Sequence, residues 1–240
     1  MGKCMFMRKG SVHSEPVKAI TLSSIAVGST VYMNLKGVPK EFVVVNHGIP
    51  GNSSMYDSSC NGTWLFLKDT YGSAAWNKST VADYDSSAIH SYLNGDFLKL
   101  FDVAAQNAIK SVKLPYMNRN GTYNFSIMQG SNGLSTKVFL LAAYEIGWTT
   151  SNYTYMPQDG YRLEYFQAGT SAEASAKRAA SERWWLRTPN TYADTTVFTN
   201  NQEGDWFNPA TPTELYGIRP AIILPSTAIF DENTLQFVEA

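Results

Sequence analysis

Charged residues are scarce in this 240-residue chain. Asp, Glu, Lys and Arg make up 16% of the sequence, compared with about a quarter of an average soluble protein. The formal net charge is -1, from 19 basic and 20 acidic residues, and no run of Lys or Arg could follow a phosphate backbone. We therefore expect no nucleic-acid partner, and a surface whose polarity comes from Ser, Thr, Asn and Tyr.

Long apolar runs are also absent. The opening residues, MGKCMFMRKGSVHSEP, contain neither the apolar segment of a secretory signal nor a small-residue cleavage site. No run approaches the roughly 18 apolar residues of a membrane span, and the sixth residue is not the Ser or Thr of a myristoylation motif. We expect synthesis in the cytoplasm without a signal peptide, and no membrane insertion.

Metal-binding residue types are few. The two cysteines, Cys4 and Cys60, have no CxxC spacing, and the three histidines, His13, His47 and His90, have no HExxH-type partner. Two free or buried thiols and three packing or surface imidazoles are the better interpretation. The sequence predicts no metal site and no cofactor.

Catalytic motifs are missing as well: the chain contains no GxSxG, GxxxxGK[ST] or GxGxxG. Glu145, late in an apolar run, could be a general base, but a buried Glu satisfied by Arg or by backbone amides fits better. Arg187 in LRTP and Arg219 in IRPA have planar forks that can brace loops by hydrogen bonds to carbonyls, or to a carboxylate such as Glu145. We expect a protein that is not an enzyme.

What is present is a mixture of strand and helix patterns. Residues 30–48 predict a β-hairpin, and 64–69 predict another strand. Apolar residues at helical spacing predict one helix capped by Asp85 or Ser86 and a second capped by Asp102, both packed on one sheet. The Gly-, Asn- and Ser-rich residues 116–136 are expected to be loop.

The second half of the sequence predicts further strands. Residues 137–148 could be a buried strand or a short helix, 149–160 are a polar excursion, and 171–182 suggest a helical turn. Two core strands, WWLRTP (184–189) and IRPAIILP (218–225), flank shorter strands at TTVF and DWF. We predict a single α+β domain at 29–240, with antiparallel sheets and two packed helices, preceded by an N-terminal assembly or edge segment at 1–28.

The two core strands enclose about two dozen small, polar and aromatic residues. WWLRTP followed about thirty residues later by YGIRPAIILPS resembles the C-terminal half of C-type-lectin-fold domains common in gut bacteria and their phages. The opening MGKCMFMRKG, NHGIPGNSSMYDSSCNGTW, IHSYLN and KVFLLAAYEIG are similar to the same group. Several such proteins resemble the variable proteins of diversity-generating retroelements, whose phage examples are receptor-binding tail-tip proteins. Formylglycine-generating enzymes share that fold, but their catalytic cysteine pair has no counterpart in the C-terminal region.

In such systems inaccurate copying of template adenines diversifies Asn codons of the form AAY, which never yields Lys, Gln, Glu, Met or Trp. Residues 190–201 and 207–213 contain none of these five types. Gln202, Glu203 and Glu214 are then non-variable positions, and Trp206 an invariant core residue. The resemblance implies a loop-rich, ligand-binding variable region at about 184–225.

Diversification requires side chains that face solvent from a backbone held by other residues. The predicted exposed ligand-binding positions are Asn190, Tyr192, Ala193, Asp194, Thr196, Phe198, Asn201, Asp205, Phe207, Asn208, Ala210, Thr211 and Thr213. The predicted scaffold consists of Trp184, Trp185, Arg187, Trp206 and Arg219, with Leu186 and 218–224 as further core.

The resemblance implies a binding partner, a host cell-surface protein or glycan, and a place on a phage tail virion or a bacterial cell surface. A homo-oligomer, by analogy a trimer, would add avidity. Two alternatives stay open: an enzyme on a formylglycine-generating scaffold with Glu145 and Arg219 in a pocket, and a structural module without a diversified ligand.

Overall fold

A computed structural model of the chain describes residues 18–122, 124–193 and 195–240. Within these residues it forms seventeen short strands and three α-helices. The strands are β1 (Ala19–Thr21), β2 (Thr30–Leu35), β3 (Val38–His47), β4 (Thr63–Leu67), β5 (Ser73–Ala75), β6 (Val112–Leu114), β7 (Tyr116–Arg119), β8 (Phe125–Met128), β9 (Leu134–Thr136), β10 (Val138–Leu140), β11 (Trp184–Pro189), β12 (Val197–Asn200), β13 (Phe207–Ala210), β14 (Leu215–Gly217), β15 (Pro220–Leu224), β16 (Ile229–Asp231) and β17 (Phe237–Glu239). The helices are α1 (Ala88–Tyr92), α2 (Val103–Ala108) and α3 (Ser171–Arg178).

Two five-stranded sheets dominate the fold. One has the order β10-β15-β4-β3-β2 and is antiparallel throughout, and the other has the order β13-β12-β11-β14-β5. In the second sheet only β11 and β14 run parallel. A three-stranded sheet, β1-β16-β17, and two ribbons, β6-β9 and β7-β8, complete the described strands. The prediction of a β-rich α+β protein with antiparallel sheets is confirmed.

The hairpin predicted at 30–48 is formed by β2 and β3. Leu35 pairs with Val38, so Lys36 and Gly37 make a two-residue turn, and both have positive φ values of 53° and 73°. This is the backbone geometry that matches the right-handed twist of the flanking strands.

Apolar side chains fill both faces of the sheets. Along β3, Phe42 and Val44 point into one core cluster, and Val43 and Val45 point into a second. The strands β4, β11, β12 and β15 alternate between the same two clusters. Because both faces are covered, the apolar residues of these strands point to both sides of the sheet and do not alternate with exposed polar residues.

The helical region covers the first cluster. Ser87, not Asp85 or Ser86, is the N-cap of α1, where its hydroxyl accepts from the amide of His90. A π-helical segment, Leu93–Phe97, follows directly. Asp102 occupies the N-cap position of α2 as predicted, but its side chain makes no capping hydrogen bond and accepts from the side-chain amide of Asn34 instead. Side chains from both helical regions join the sheet residues of that cluster, which confirms the expected packing.

One loop prediction was wrong. Residues 116–136 contain the β7-β8 hairpin and the strand β9. Of the assembly segment proposed at 1–28, residues 1–17 lie outside the described part, whereas Ala19–Thr21 pair with β16. The described residues contain no helix long and apolar enough to cross a membrane.

Candidate binding site

Five aromatic side chains form a connected surface that we call the aromatic face: Tyr153, Tyr155, Tyr192, Trp206 and Phe207. The rings of Tyr155 and Tyr192 stack with centroids 4.8 Å apart, and Tyr155 lies 5.7 Å from Tyr153. Tyr153 in turn lies 6.1 Å from Phe207, which stacks at 6.2 Å on Trp206. Ring contacts thus link the loop at 149–160, the turn after β11 and the β12-β13 hairpin.

The outer rings of this face are open to solvent. Tyr155, Tyr192 and Trp206 are 51%, 62% and 61% exposed, and Tyr153 and Phe207 are half-buried. Buried Phe198 and Trp148 lie beneath them, with centroids 5.4 Å and 5.1 Å from Phe207. The face is therefore the exposed edge of the second core cluster, which holds its inner rings in place.

A tight turn after β11 presents Tyr192. Asn190 is buried and closes the turn, because its backbone amide donates to the carbonyl of Thr196 and its side-chain amide donates to the Thr196 hydroxyl. Its side-chain oxygen accepts from the amide of Tyr192. The Thr191 hydroxyl donates to the carbonyl of Tyr155 at 2.8 Å, which joins this turn to the neighbouring loop. The stacked tyrosines therefore rest on fixed backbone.

The turn of the β12-β13 hairpin presents Trp206. Asn201 accepts from the amide of Trp206 and donates to Asp205, while the Trp206 indole donates to the side chain of Asn208. Gly204 has φ +77°, and a Cβ at this position would lie 2.1 Å from the carbonyl oxygen of Ser175 on α3. Only glycine permits this close approach, which fixes the hairpin tip against the helix.

A buried ion pair underlies the loop that carries Tyr153 and Tyr155. The two terminal guanidinium nitrogens of Arg187, Nη1 and Nη2, each donate to the carboxylate of Glu145 at 2.6 Å. The Tyr56 hydroxyl donates to the same carboxylate at 2.8 Å. Burial alone lowers the pKa of Arg187, but Glu145 raises it above its ordinary value. Burial and the Glu145 charge likewise raise the pKa of Tyr56. Arg187 is therefore protonated and Tyr56 is neutral at neutral pH.

This pair also fixes the returning end of the loop. Arg187 donates to the backbone carbonyl of Asp159, the amide of Tyr161 donates to Tyr56, and the amide of Leu163 donates to the carbonyl of Glu145. The Asp159 side chain accepts from the Thr188 hydroxyl. Burial raises the pKa of Asp159 to about 7, although Arg187 and Thr188 lower it. The carboxyl of Asp159 is therefore partly protonated at neutral pH.

The predicted bracing role of both arginines is confirmed. Arg187 holds Glu145 and three carbonyls, those of Pro115, Leu140 and Asp159. Arg219 holds the carbonyls of Leu67, Lys68 and Arg178. The enzyme alternative named Arg219 as the partner of Glu145, whereas the guanidinium beside this carboxylate is that of Arg187.

The predicted scaffold is buried with one exception. Trp184, Trp185, Arg187 and Arg219 are buried. Trp206 was expected to be a core residue, but its ring lies on the outside of the hairpin, where the neighbouring Phe207 turns inward. Trp206 thus belongs to the candidate binding surface.

The predicted ligand-binding positions divide by exposure. Four are exposed, and five more are half-buried. The exposed ones are Tyr192, Asp205, Asn208 and Thr213, and the half-buried ones are Ala193, Thr196, Asn201, Phe207 and Thr211. Asp194 lies outside the described residues.

Three of those positions were wrongly placed at the surface. Phe198 is fully buried because β12 lies between β11 and β13, with Tyr153 and Phe207 over its ring. Ala210 is buried opposite Val197 in the first cluster. Asn190 is buried as the closing residue of its turn. These side chains support the surface and do not form it.

Two residues of the aromatic face were not predicted. Tyr153 and Tyr155 lie in the polar excursion TTSNYTYMPQDG, which carried no functional assignment. The available signal was two tyrosines, two positions apart, in a segment otherwise made of small polar residues. Two tyrosines among small polar residues are not typical of a buried segment. Their rings connect Tyr192 to Phe207 and so complete the aromatic face.

Titratable side chains do not form a metal site in the described part of the chain: no group of three or more His, Cys, Asp or Glu is suitably placed. Cys60 is buried, and burial, followed by the charges of Glu145 and Asp57, raises the pKa of its thiol to about 12. The thiol is therefore protonated and unreactive at neutral pH.

Residues 61–226 match the family described as a domain of unknown function, DUF6273. The chain therefore belongs to this family, and the match includes the aromatic face and its buried ion pair. No curated protein and no solved structure matches the chain.

Proposed function

We propose that this chain is a binding protein that contacts its partner through the aromatic face. The observation that carries the proposal is the continuity of five aromatic rings, three of them more than half exposed, across three separate segments. An exposed Trp and two exposed Tyr in one patch mark an interaction surface, since solvent-exposed aromatic patches are otherwise avoided. Tyr and Trp also dominate the energetics of protein interfaces.

The support beneath the face favours a preorganised site. The Glu145–Arg187 pair, the Asn190 turn and Gly204 each fix one of the three segments before any partner binds. Aromatic side chains lose little entropy on binding, and a fixed backbone reduces the ordering cost further. Affinity can then depend on the residues that occupy the exposed positions.

The finer form of the proposal is a C-type-lectin-like variable protein. The variable positions are then the exposed and half-buried ones on the β12-β13 hairpin and its flanking turns, such as Tyr192, Asp205 and Asn208. The partner is a host cell-surface protein or glycan, reached from a phage tail or from a bacterial surface. A trimer would multiply weak single contacts.

The first experiment is binding of the fluorescently labelled chain to a panel of intact gut-bacterial strains and to a printed glycan array, with excess unlabelled chain as competitor. Saturable, competed binding to particular strains or glycans is expected. Binding that is weak, unsaturated and equal on every surface would contradict the proposal.

Diversification is tested separately by sequencing the DNA around the gene. We expect a reverse transcriptase gene and a near-copy of the segment encoding residues 184–225 that differs at template adenines. The differing codons should fall at exposed positions such as Tyr192 and Asn208, and spare buried Phe198 and Ala210. A locus with neither feature would contradict the diversification proposal but would not affect the binding proposal.

A further inference from the structure

A cleft beside the aromatic face gathers two arginines, Arg162 and Arg178, and we call it the arginine cleft. It has a volume of about 470 Å³ and lies between the loop at 147–152, one face of α3 and the β12-β13 hairpin. Among the described residues its lining carries one further charged side chain, Asp205. The excess of positive charge sits in a cavity of the size that holds small ligands.

Backbone carbonyls hold both guanidinium groups in position. Arg178 donates to the carbonyls of Gly204 and Ile146 and lies 3.8 Å over the ring of Trp148. Arg162 donates to the carbonyl of Gly147 at 3.2 Å. Neither forms an ion pair with any carboxylate among the described residues. Burial and the neighbouring charge of Arg162 lower the pKa of Arg178 to about 10, while Asp205 raises it, so Arg178 is protonated at neutral pH. Two guanidinium groups thus face the cleft with one carboxylate, Asp205.

We propose that the arginine cleft binds the acidic group of a saccharide ligand. Two fixed guanidinium groups offer the planar, multiple donors that match a carboxylate or a sulfate. The rest of the lining suits a sugar ring, because hydroxyl and amide groups surround the cations: Thr149, Ser151, Asn152, Ser171 and Ser175. Among the described lining residues the one large aromatic side chain, Trp148, is buried beneath Arg178, so the cleft itself offers polar groups and not apolar anchors.

The inference rests on the proposed function, since it names the chemistry of the ligand. Trp148 connects the two regions: it packs against Phe207 of the aromatic face and also against Arg178 in the cleft. A ligand whose sugar covers the exposed aromatic rings can therefore place an acidic group in the cleft.

The test is a titration of the isotopically labelled full chain, followed by NMR, with glucuronate and with glucose. These probes share a ring and differ only at C6, which is a carboxylate in glucuronate and a hydroxymethyl group in glucose. We expect glucuronate to bind at least about tenfold more tightly, since a hydrogen bond to a charged group contributes about 1.5–3 kcal/mol. The perturbed amides should be those of 147–152 and of the first turn of α3. Equal binding of the two sugars would overturn the inference.

Two single variants should change the affinity for glucuronate in opposite directions. Arg162→Gln should weaken glucuronate binding about fivefold or more, because it removes an exposed cation from the cleft. Asp205→Asn keeps an oxygen acceptor for Asn201 but removes the one negative charge in the lining, so glucuronate should bind about two- to fivefold more tightly. Lys99→Gln removes an exposed cation on the far helical region and should change nothing. An unchanged affinity in both cleft variants would overturn the inference.

Two outcomes separate this inference from the proposed function. If N-acetylglutamate amide binds more tightly than glucuronate, the saccharide assignment is wrong and an acidic peptide replaces it. If the cleft variants are silent while Tyr155→Ser and Trp206→Ser abolish cell binding, the inference fails and the proposed function stands. If the aromatic variants bind cells normally while the glucuronate results hold, the proposed function fails at the aromatic face and the cleft remains as an anion site.

Discussion

Arg187 and Glu145 form a two-point ion pair, both contacts at 2.6 Å, in which neither side chain is exposed. Removing one partner from such a pair leaves an uncompensated buried charge and costs about 3–5 kcal/mol. We therefore expect Arg187→Met to lower the free energy of unfolding by about that amount in urea titrations. The matched control is Lys99→Met, which breaks the exposed Lys99–Asp96 pair and should have no measurable effect. Equal stability of the two variants would show that the pair does not support the fold.

The free energy of unfolding should depend on pH through the titration of Asp159. Burial raises the pKa of this carboxyl to about 7 in the folded chain, against about 4 in an unfolded one. Its stabilising contribution is fully present below about pH 4 and is lost as the pH rises through about 7, because the unfolded chain ionises first. In Asp159→Asn the side chain no longer titrates.

The measurement is urea unfolding of both proteins from pH 5 to pH 8. The stability of the wild type relative to Asp159→Asn should fall as the pH rises from 5 to about 7 and then level off. A difference that is constant with pH would mean that Asp159 is ionised in both states and that the raised pKa is wrong.

Glycine at 204 should be irreplaceable, whereas glycine at 37 should be only preferred. Both have positive φ, but a Cβ at Gly37 meets nothing within 4 Å, and one at Gly204 lies 2.1 Å from the carbonyl oxygen of Ser175. Gly37→Ala should cost about 1–2 kcal/mol of backbone strain, and Gly204→Ala clearly more. Thermal unfolding of the two variants checks this, and equal melting temperatures would contradict the close contact between the hairpin and α3.

The neighbouring strands β12 and β13 should differ sharply in their tolerance of substitution. Phe198 on β12 is fully buried, and Asn208 on β13 is exposed. Phe198→Ala should cost about 3–5 kcal/mol because it opens a cavity, and Asn208→Ala should remain within about 0.5 kcal/mol. Chemical denaturation measures both, and a tolerated Phe198→Ala would restore that residue to the candidate surface.

The elements that sequence predicted well depend on local signals. The β2-β3 hairpin has a turn that suits positive φ, and the core strands β4, β11 and β15 contain short, strongly apolar runs. Glu145 in an apolar run was expected to be satisfied by Arg or by backbone amides, and it pairs with Arg187. Arg187 and Arg219 were placed correctly as braces because a buried guanidinium must find several acceptors.

The errors concern burial that only tertiary packing decides. Phe198 occupies a stretch of polar and aromatic residues, yet the sheet around β12 is covered on both faces. Trp206 was assigned to the core because diversified AAY codons never yield Trp, but it lies on the outside of a hairpin whose next residue, Phe207, packs inward. The β7-β8 hairpin was missed because its residues lack a strong strand pattern and gain their order from pairing.

The most direct test of the central claim is flow cytometry of the labelled chain on the bacterial strain that binds it best. We predict that Tyr155→Ser, Tyr192→Ser and Trp206→Ser each reduce the apparent affinity at least about tenfold, as expected for interface residues that contribute more than about 1.4 kcal/mol. The control, Val103→Ser, alters a similarly exposed apolar residue on α2 and should bind as the wild type does. Unchanged binding by all three aromatic variants, with their folding intact, would contradict the claim that the aromatic face contacts the partner.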